Sequence, residues 1–497
     1  TLLSKMNAWT VLVFPFILLV LWLWEKRRHN KYVGISGFPL MPFIGNIHQF
    51  LTPGGGKVIF NHLLRLTEAC ENNNGRTLVW LGPEPYFVVQ NPGDVKLITN
   101  AFVDKVYLYN FGKIWLGDGL LTAPSTIWKQ SIKKLGGTFN AAIVDGYTGV
   151  FNEQAQNLVV KLLAEHGKEP FDILQKYLAY STLQTICQTA LGVTNISETG
   201  IVTPEYYSAF NRCLELLIWI YKLTANYNEM KKCVAVLHQI SEKVRKNIKL
   251  KEERRIKINK GNINFESTNQ NVPNFKSYLD ILFDLVDINP SLTEKQIRSE
   301  VDTIILAGQE TVATAMSFAL LMIGRHTDVQ EMVYAELKTI FGKSKRSVTE
   351  KDLAEMKYLE AVINETLRLF PPAPAVMRYA DKDLHLNSFT LPKGSNCIIN
   401  IWGAGRSVHI WGEDAALFRP ERWLEDQHAV CPASYLPFSY GRRACIGKKY
   451  AMAILKTVIS HCVREFKFSS ATDEMELKVD IALRAVSGNL ISLQRRH

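Results

Sequence analysis

At 497 residues, with 47% hydrophobic and 21% charged side chains, the chain has the balance of a folded protein with ample core material, which excludes disordered and low-complexity classes. Length alone allows about three domains, yet the sequence shows no internal repeat and one stretch resembling a linker. A net charge of +11 could meet nucleic acid, but no RNA- or DNA-binding motif accompanies it, so lipid headgroups or an acidic partner fit better. The eight cysteines, Cys70, Cys187, Cys213, Cys233, Cys397, Cys431, Cys445 and Cys462, are scattered without C-x-x-C pairs. That spacing argues against a disulfide framework or zinc site and for a reducing compartment.

The sixteen residues Trp9–Trp24 carry no charge and are followed by the basic run Glu25-Lys26-Arg27-Arg28-His29-Asn30-Lys31. The stretch is slightly short of the ~20 residues a bilayer requires, but flanking tryptophans can sit at the interfaces. A cleaved signal peptide is the rival; its charge would precede the apolar run, and no small-x-small cleavage site follows. The pattern predicts one membrane anchor over residues 1–28 with the rest of the chain cytosolic. The first residue is threonine, so the natural start is expected upstream or at Met6. Residues 29–50, with Pro39 and Pro42, read as a stiff, irregular hinge.

Next in order, Arg76–Leu81 and Tyr86–Gln90 flank a Gly82-Pro83 turn and predict a β-hairpin. The loop Ala101–Leu121 carries Phe102, Tyr107, Tyr109, Phe111 and Trp115, suited to lining an apolar cavity. Helical periodicity then runs from Thr126 to about Lys260, and Tyr180–Gly192 reads as a core helix with Cys187 as a small hydrophobe. Glu242–Lys260 holds nine basic and three acidic residues. With the polar stretch 261–277 it predicts a solvated helix entering a mobile loop within one domain.

Thr293 and Gln296 form a capping box that opens a helix to about Gly324, a rod of ~45 Å. Gly308 weakens that helix, which a flat ligand against its face would explain. Thr311 can hydrogen-bond back to the Ala307 carbonyl and open a bulge that holds water. Glu310 beside it could feed protons through that water. Glu365 and Arg368 share a helix face, and Pro371–Arg378 leaves that helix as an extended segment. Lys382–Pro392 and Gly394–Ile401 read as short strands, and Leu483–Gly488 as a turn dipping into the cavity.

Phe438-Ser-Tyr-Gly441-Arg-Arg443-Ala-Cys445-Ile-Gly447 precedes a helical run over Lys448–Phe466. Glycines permit a tight turn close to a flat cofactor, the helix N-terminus favours a thiolate, and Arg443 can reach a carboxylate. The other seven cysteines read as small hydrophobes.

Phe438, Gly441, Arg443, Cys445 and Gly447 match position for position the haem-binding signature of the cytochrome P-450 superfamily, which this sequence resembles over essentially its whole length. Ala307–Thr311 is similar to the family's acid–threonine motif, and its surroundings resemble the insect-rich family-4 clan. The resemblance implies a mainly α fold with a small β-rich region, one haem domain over residues 51–497, and a hinge like that of microsomal members. It implies haem b with Cys445 as the axial thiolate, a ligand that favours O–O cleavage. Thr311 and Glu310 would be catalytic, and Arg443, Arg378, Trp128, Phe438, Gly441 and Gly447 would bind the cofactor. Two departures stand out. Ile132 occupies the position of a propionate-binding arginine, for which Lys129 or Lys133 would substitute without the bidentate fork. Ala307 replaces the glutamate that tethers haem in many family-4 members, so the haem is expected to be non-covalent.

Glu365, Arg368 and Arg422 resemble the buried triad that locks the segment beside the cysteine loop, with Trp423 where phenylalanine is usual. Ala373, Ala375 and Val376 would line the substrate cavity. The implied activity is insertion of one oxygen atom from O2 into an apolar small molecule, fatty-acid-like, hormone-like or xenobiotic, at the endoplasmic reticulum membrane. Electrons would come from NADPH through a flavoprotein reductase, with cytochrome b5 as an optional second donor. Lys129, Lys133, Lys134, Arg442, Lys448, Lys449 and Lys456 would form its docking face, with plain solvated charge as the alternative. The competing functions are a haem-thiolate isomerase or dehydratase and a non-enzymatic haem-binding sensor; the acid–alcohol pair counts against both.

Overall fold

A computed structural model describes residues 8–32, 34–39, 41, 44–49, 55–192, 203–216, 227–239, 242, 275–288, 293–387, 389–425, 431–470 and 475–496. The basic helix and polar loop expected over 242–277 lie mostly outside these residues, as do Met6 and Pro42. Packing divides the chain into two compact units, Thr1–Val106 with Ala375–Ala415 and Val430–Ala444, and Tyr107–Pro374 with Ala416–Ala429 and Cys445–His497.

The first unit contains helices α1 (Ala8–His29), α2 (Gly56–Glu71) and α3 (Pro92–Ala101). Its sheet has the order β1 (Arg76–Leu81), β2 (Glu84–Val89), β4 (Asn396–Asn400), β3 (Ala375–Tyr379). The hairpin expected from sequence forms with Arg76 opposite Val89, and Gly82 takes φ 61 in its turn. β2 pairs in parallel with β4, Tyr86 opposite Asn396, and β3 closes the sheet antiparallel to β4. The unbroken apolar run of β2 has a simple cause, because both faces of the strand are covered. Phe87 and Val89 join Val95, Ile98 and Phe102 on one side, while Tyr86 and Val88 join Leu66 and Cys70 on the other.

The segment read as a stiff hinge is tied to the sheet. Ser36 accepts the Leu78 N–H at 3.1 Å, and the Asn46 side chain accepts the Trp80 N–H at 2.9 Å. These bonds cover the open edge of β1, a device that blocks unwanted strand pairing.

The second unit is built on α6 (Glu294–Arg325), with α4 (Ser125–Leu135), α5 (Ala179–Leu191), α7 (Lys357–Leu369) and α8 (Lys448–Glu465). Thr293 caps α6 in the predicted capping box. The apolar window of α6 is long enough to cross a membrane, but 83% of it is buried in protein, so α6 is a core rod. α5 ends at Gly192 with φ 66, and Cys187 on it is fully buried. Strands β5 (Phe466–Ser470), β6 (Leu477–Val479), β7 (Leu483–Ala485) and β8 (Leu490–Arg495) follow α8. β6 and β7 form a hairpin, and β8 pairs antiparallel with β5.

Candidate functional site

Nearly every residue of α6 is buried, but at its centre Ala307 and Thr311 are exposed and Gly308 is half-buried. A core helix that opens one face at mid-length presents that face to a space inside the fold. The Thr311 hydroxyl donates to the Ala307 carbonyl at 2.6 Å, as its position predicts. The accompanying bulge does not form, because α6 runs as unbroken α-helix through this turn. A Cβ at Gly308 would stand 2.6 Å from Ile186 Cδ1 on α5, the end of a side chain that would have to shift, so helix packing also favours a small residue here.

Glu310 is 3% exposed, and one carboxylate oxygen accepts from Arg484 on β7. The other, Oε2, is buried without a hydrogen-bond partner. Burial pushes the carboxyl up, Arg484 opposes that rise, and Asp480 adds to it. Burial thus favours the neutral form of this carboxyl, while Oε2 stays open to a proton.

The cysteine loop crosses from the first unit to the second between Ala444 and Cys445. Gly441 takes φ 73, and a Cβ there would lie 2.6 Å from the Thr99 carbonyl oxygen of α3, so conformation and close approach both demand glycine. Ser439 adopts φ 57, a strained value for a residue with a side chain. Gly447 is different: it needs no positive φ, and an added Cβ would make an ordinary 3.8 Å contact with Cys445 Sγ. Gly447 caps α8. Cys445 is exposed, unlike Cys70, Cys187, Cys213, Cys397 and Cys462. Burial among surrounding protein nevertheless pushes its thiol up, and the Gly447 N–H opposes only part of that rise. A bound cation at sulfur would favour the thiolate.

Within the first unit, Arg378 is 1% exposed on β3, and the Arg443 Nε donates to the Val103 carbonyl at 3.1 Å. Lys105, which sequence reading missed, lies close enough to both that they add to the effect of burial in lowering its ammonium well below its usual range. Three basic side chains gathered in this way suit an anion carrying more than one carboxylate, whose charge would favour the Lys105 ammonium again. Trp128 is buried on α4, Ile132 is half-buried, and Lys129 and Lys133 are exposed. Phe438 is half-buried, as are Ala373, Ala375 and Val376. Taken separately, the grouped basic side chains of the first unit fit a dianion, and in the second unit the accessible cysteine fits a metal ligand and the open helix face a flat group.

The aromatic loop departs from expectation. Trp115 packs in the core, its ring 5.2 Å from Phe210, and Phe102 is fully buried among α3 and sheet residues. Tyr107 is exposed, and Tyr109 and Phe111 are half-buried. These latter three remain available to a cavity.

Glu365, Arg368 and Arg422 do meet. Arg368 Nε and Nη2 donate to the Glu365 oxygens at 2.8 and 2.7 Å, and Arg422 Nε donates at 3.0 Å. The backbone N–H of Arg419 adds a bond at 2.9 Å. Trp423 Nε1 donates at 3.0 Å, which gives its indole a role phenylalanine could not fill.

The cytochrome P450 family pattern matches residues 35–490. Cytochrome P450 4c21 of Blattella germanica is 31% identical over 491 residues, covering 95% of each chain. Cytochrome P450 4c3 of Drosophila melanogaster is 31% identical over 98% of this chain and 94% of its own. Cytochrome P450 4V2 of Homo sapiens is 32% identical over 95% of this chain and 91% of its own. With the family pattern spanning nearly all of the sequence, the chain belongs to the cytochrome P450 family of haem-thiolate monooxygenases.

Proposed function

We propose that this P450 inserts one oxygen atom into an apolar small molecule, with electrons from NADPH delivered by a separate flavoprotein reductase. The observation that carries the reading is the open Ala307–Thr311 face on an otherwise buried core helix. When bound, haem supplies reductive activation of O2 and transfer of one oxygen atom. Cys445 would hold its iron, and Arg378, Arg443 and Lys105 would neutralise its carboxylates. Trp128, Phe438, Gly441 and Gly447 would complete the cofactor's surroundings. Ala307 offers only a methyl group, so the haem is held non-covalently.

Thr311 would orient a proton donor over the open face, and Glu310 would pass protons to it from one turn of the same helix. General acid assistance of this kind contributes roughly 10²–10⁴-fold. The apolar side chains of Phe16, Ile17 and the run Leu19 to Trp24 on α1 are exposed, and Lys26 and Arg28 stack on Trp22 and Trp24. These features support a membrane anchor over residues 1–28; with it we read a hinge over 29–50, a haem domain over 51–497 and an endoplasmic reticulum location. Cytochrome b5 is a possible second electron donor.

The test is reconstitution with reductase, NADPH and a panel of fatty acids, terpenoid lipids and plant toxins, preceded by a screen for spin-state shifts. NADPH-dependent oxygenated product is expected. Turnover of peroxide substrates without NADPH would favour the isomerase or dehydratase reading. Acid–acetone extraction should release all the haem, and retained haem would contradict the non-covalent assignment.

A further inference from the structure

Glu310, Thr314 and Ser317 lie at positions i, i+4 and i+7 of α6, so they share one face of the helix. All three are buried, at 3%, 0% and 0% exposure. The C-terminal chain lies along this polar stripe. Arg484 of β7 pairs with Glu310, and Asn489 Nδ2 donates to Ser317 Oγ at 3.1 Å. Between these two ties, Thr314 Oγ1 and Glu310 Oε2 are buried without hydrogen-bond partners.

The ties hold because the segment around Arg484 is itself fixed. Leu483 N–H donates to the Pro372 carbonyl at 2.9 Å, and the Asn489 carbonyl accepts from Ile173 N–H at 3.2 Å. Lys478 pairs with Asp480 at 2.8 Å at the tip of the hairpin, and Asp480 is the second acid acting on Glu310. The charged groups facing Glu310 are therefore Arg484, Asp480 and, through Asp480, Lys478.

We propose that Arg484 is a positioning residue for Glu310: it anchors one carboxylate oxygen to the hairpin and leaves the other oriented beside Thr314. The hairpin thereby sets both the direction and the charge of the acid in the proton relay. This rests on the proton-delivery role given above to Glu310, and the variants below separate the two claims.

The experiment uses the haem-loaded, full-length protein. Its first readout is the infrared C=O band of a protonated carboxyl, assigned to Glu310 by its absence in Glu310→Gln and titrated with pH. The second is peroxide released per NADPH consumed with reductase present. Arg484→Gln should raise the midpoint of the Glu310 band by about one pH unit, roughly tenfold in proton affinity, and increase peroxide release several-fold. Arg484→Lys should return both readouts most of the way to wild type, and Asp480→Asn should lower the midpoint.

If wild type shows no Glu310 band, the band should appear in Arg484→Gln; absence from both would overturn the proposal. An unchanged midpoint and peroxide ratio in Arg484→Gln, with only a lower melting temperature, would reduce Arg484 to a brace and overturn it as well. Should Arg484→Gln fail to fold, Asp480→Asn decides the question, and a midpoint identical with wild type counts against the proposal. If Glu310→Gln itself leaves peroxide release unchanged, the relay role of Glu310 fails, whatever Arg484 does to its band.

Discussion

Two buried glutamates of the second unit, each paired with arginine, are held in opposite ways. Glu365 accepts hydrogen bonds from Arg368, Arg422, Trp423 and the Arg419 backbone, and both its oxygens are engaged. Glu310 has one oxygen on Arg484 and one without a partner. A fully bonded carboxylate in low dielectric is fixed in place. A half-bonded one keeps a lone pair that can accept a proton, and burial favours its neutral form. The contrast separates an acid that secures the segment after α7 from one suited to moving protons.

Breaking the saturated site should have the largest effect. Arg422→Leu leaves Glu365 buried with less compensation, an expected loss of about 3–5 kcal/mol. Denaturant unfolding should show that loss together with poor haem retention. Stability close to wild type would mean that the cluster is dispensable.

A third buried acid sharpens the contrast. Glu300 accepts the Leu120 N–H at 2.9 Å, and its carboxyl is pushed up to about 7 by burial. A raised value means that the fold favours the protonated form. Its stabilisation is therefore complete below the ordinary carboxyl range near 4.5 and is lost as pH rises through about 7. Relative to wild type, Glu300→Gln should gain stability across that window, on the order of 3 kcal/mol in total. Melting curves at intervals of pH check it; a constant difference between the proteins would count against the shift.

On the half-bonded side, Thr311→Ala removes the hydroxyl but leaves Glu310 in place. Coupled product formation should fall roughly 10²-fold while NADPH consumption continues and peroxide accumulates. Equal falls in product and NADPH use would indicate a binding or folding defect. The smallest effect is expected from Trp423→Phe, which keeps the ring and deletes one donor to Glu365. A cost of about 1–2 kcal/mol should appear in unfolding, with the product-to-peroxide ratio unchanged.

Features set by local spacing were legible in the sequence. The β1–β2 hairpin, the Thr293–Gln296 cap and the back-bond from Thr311 each depend on residues a few positions apart. The Glu365 cluster was also anticipated, because its motifs could be recognised separately. Partners that depend on tertiary approach were not. Nothing local to Gly308 points to Ile186, nothing near Lys105 points to Arg378 and Arg443, and nothing in the C-terminal turn marks Arg484 as Glu310's partner. Trp115 and Phe102 misled for the same reason, since an aromatic residue in a loop reads alike whether it lines a cavity or fills a core.

The most direct measurement is the ferrous–CO spectrum of wild type and Cys445→Ser, each with haem content measured independently. Wild type should show the red-shifted Soret band of a thiolate-ligated haem, and Cys445→Ser should lose it even where haem is retained. Haem-loaded wild type without that band, or a Cys445→Ser protein that keeps it, would contradict Cys445 as the iron ligand.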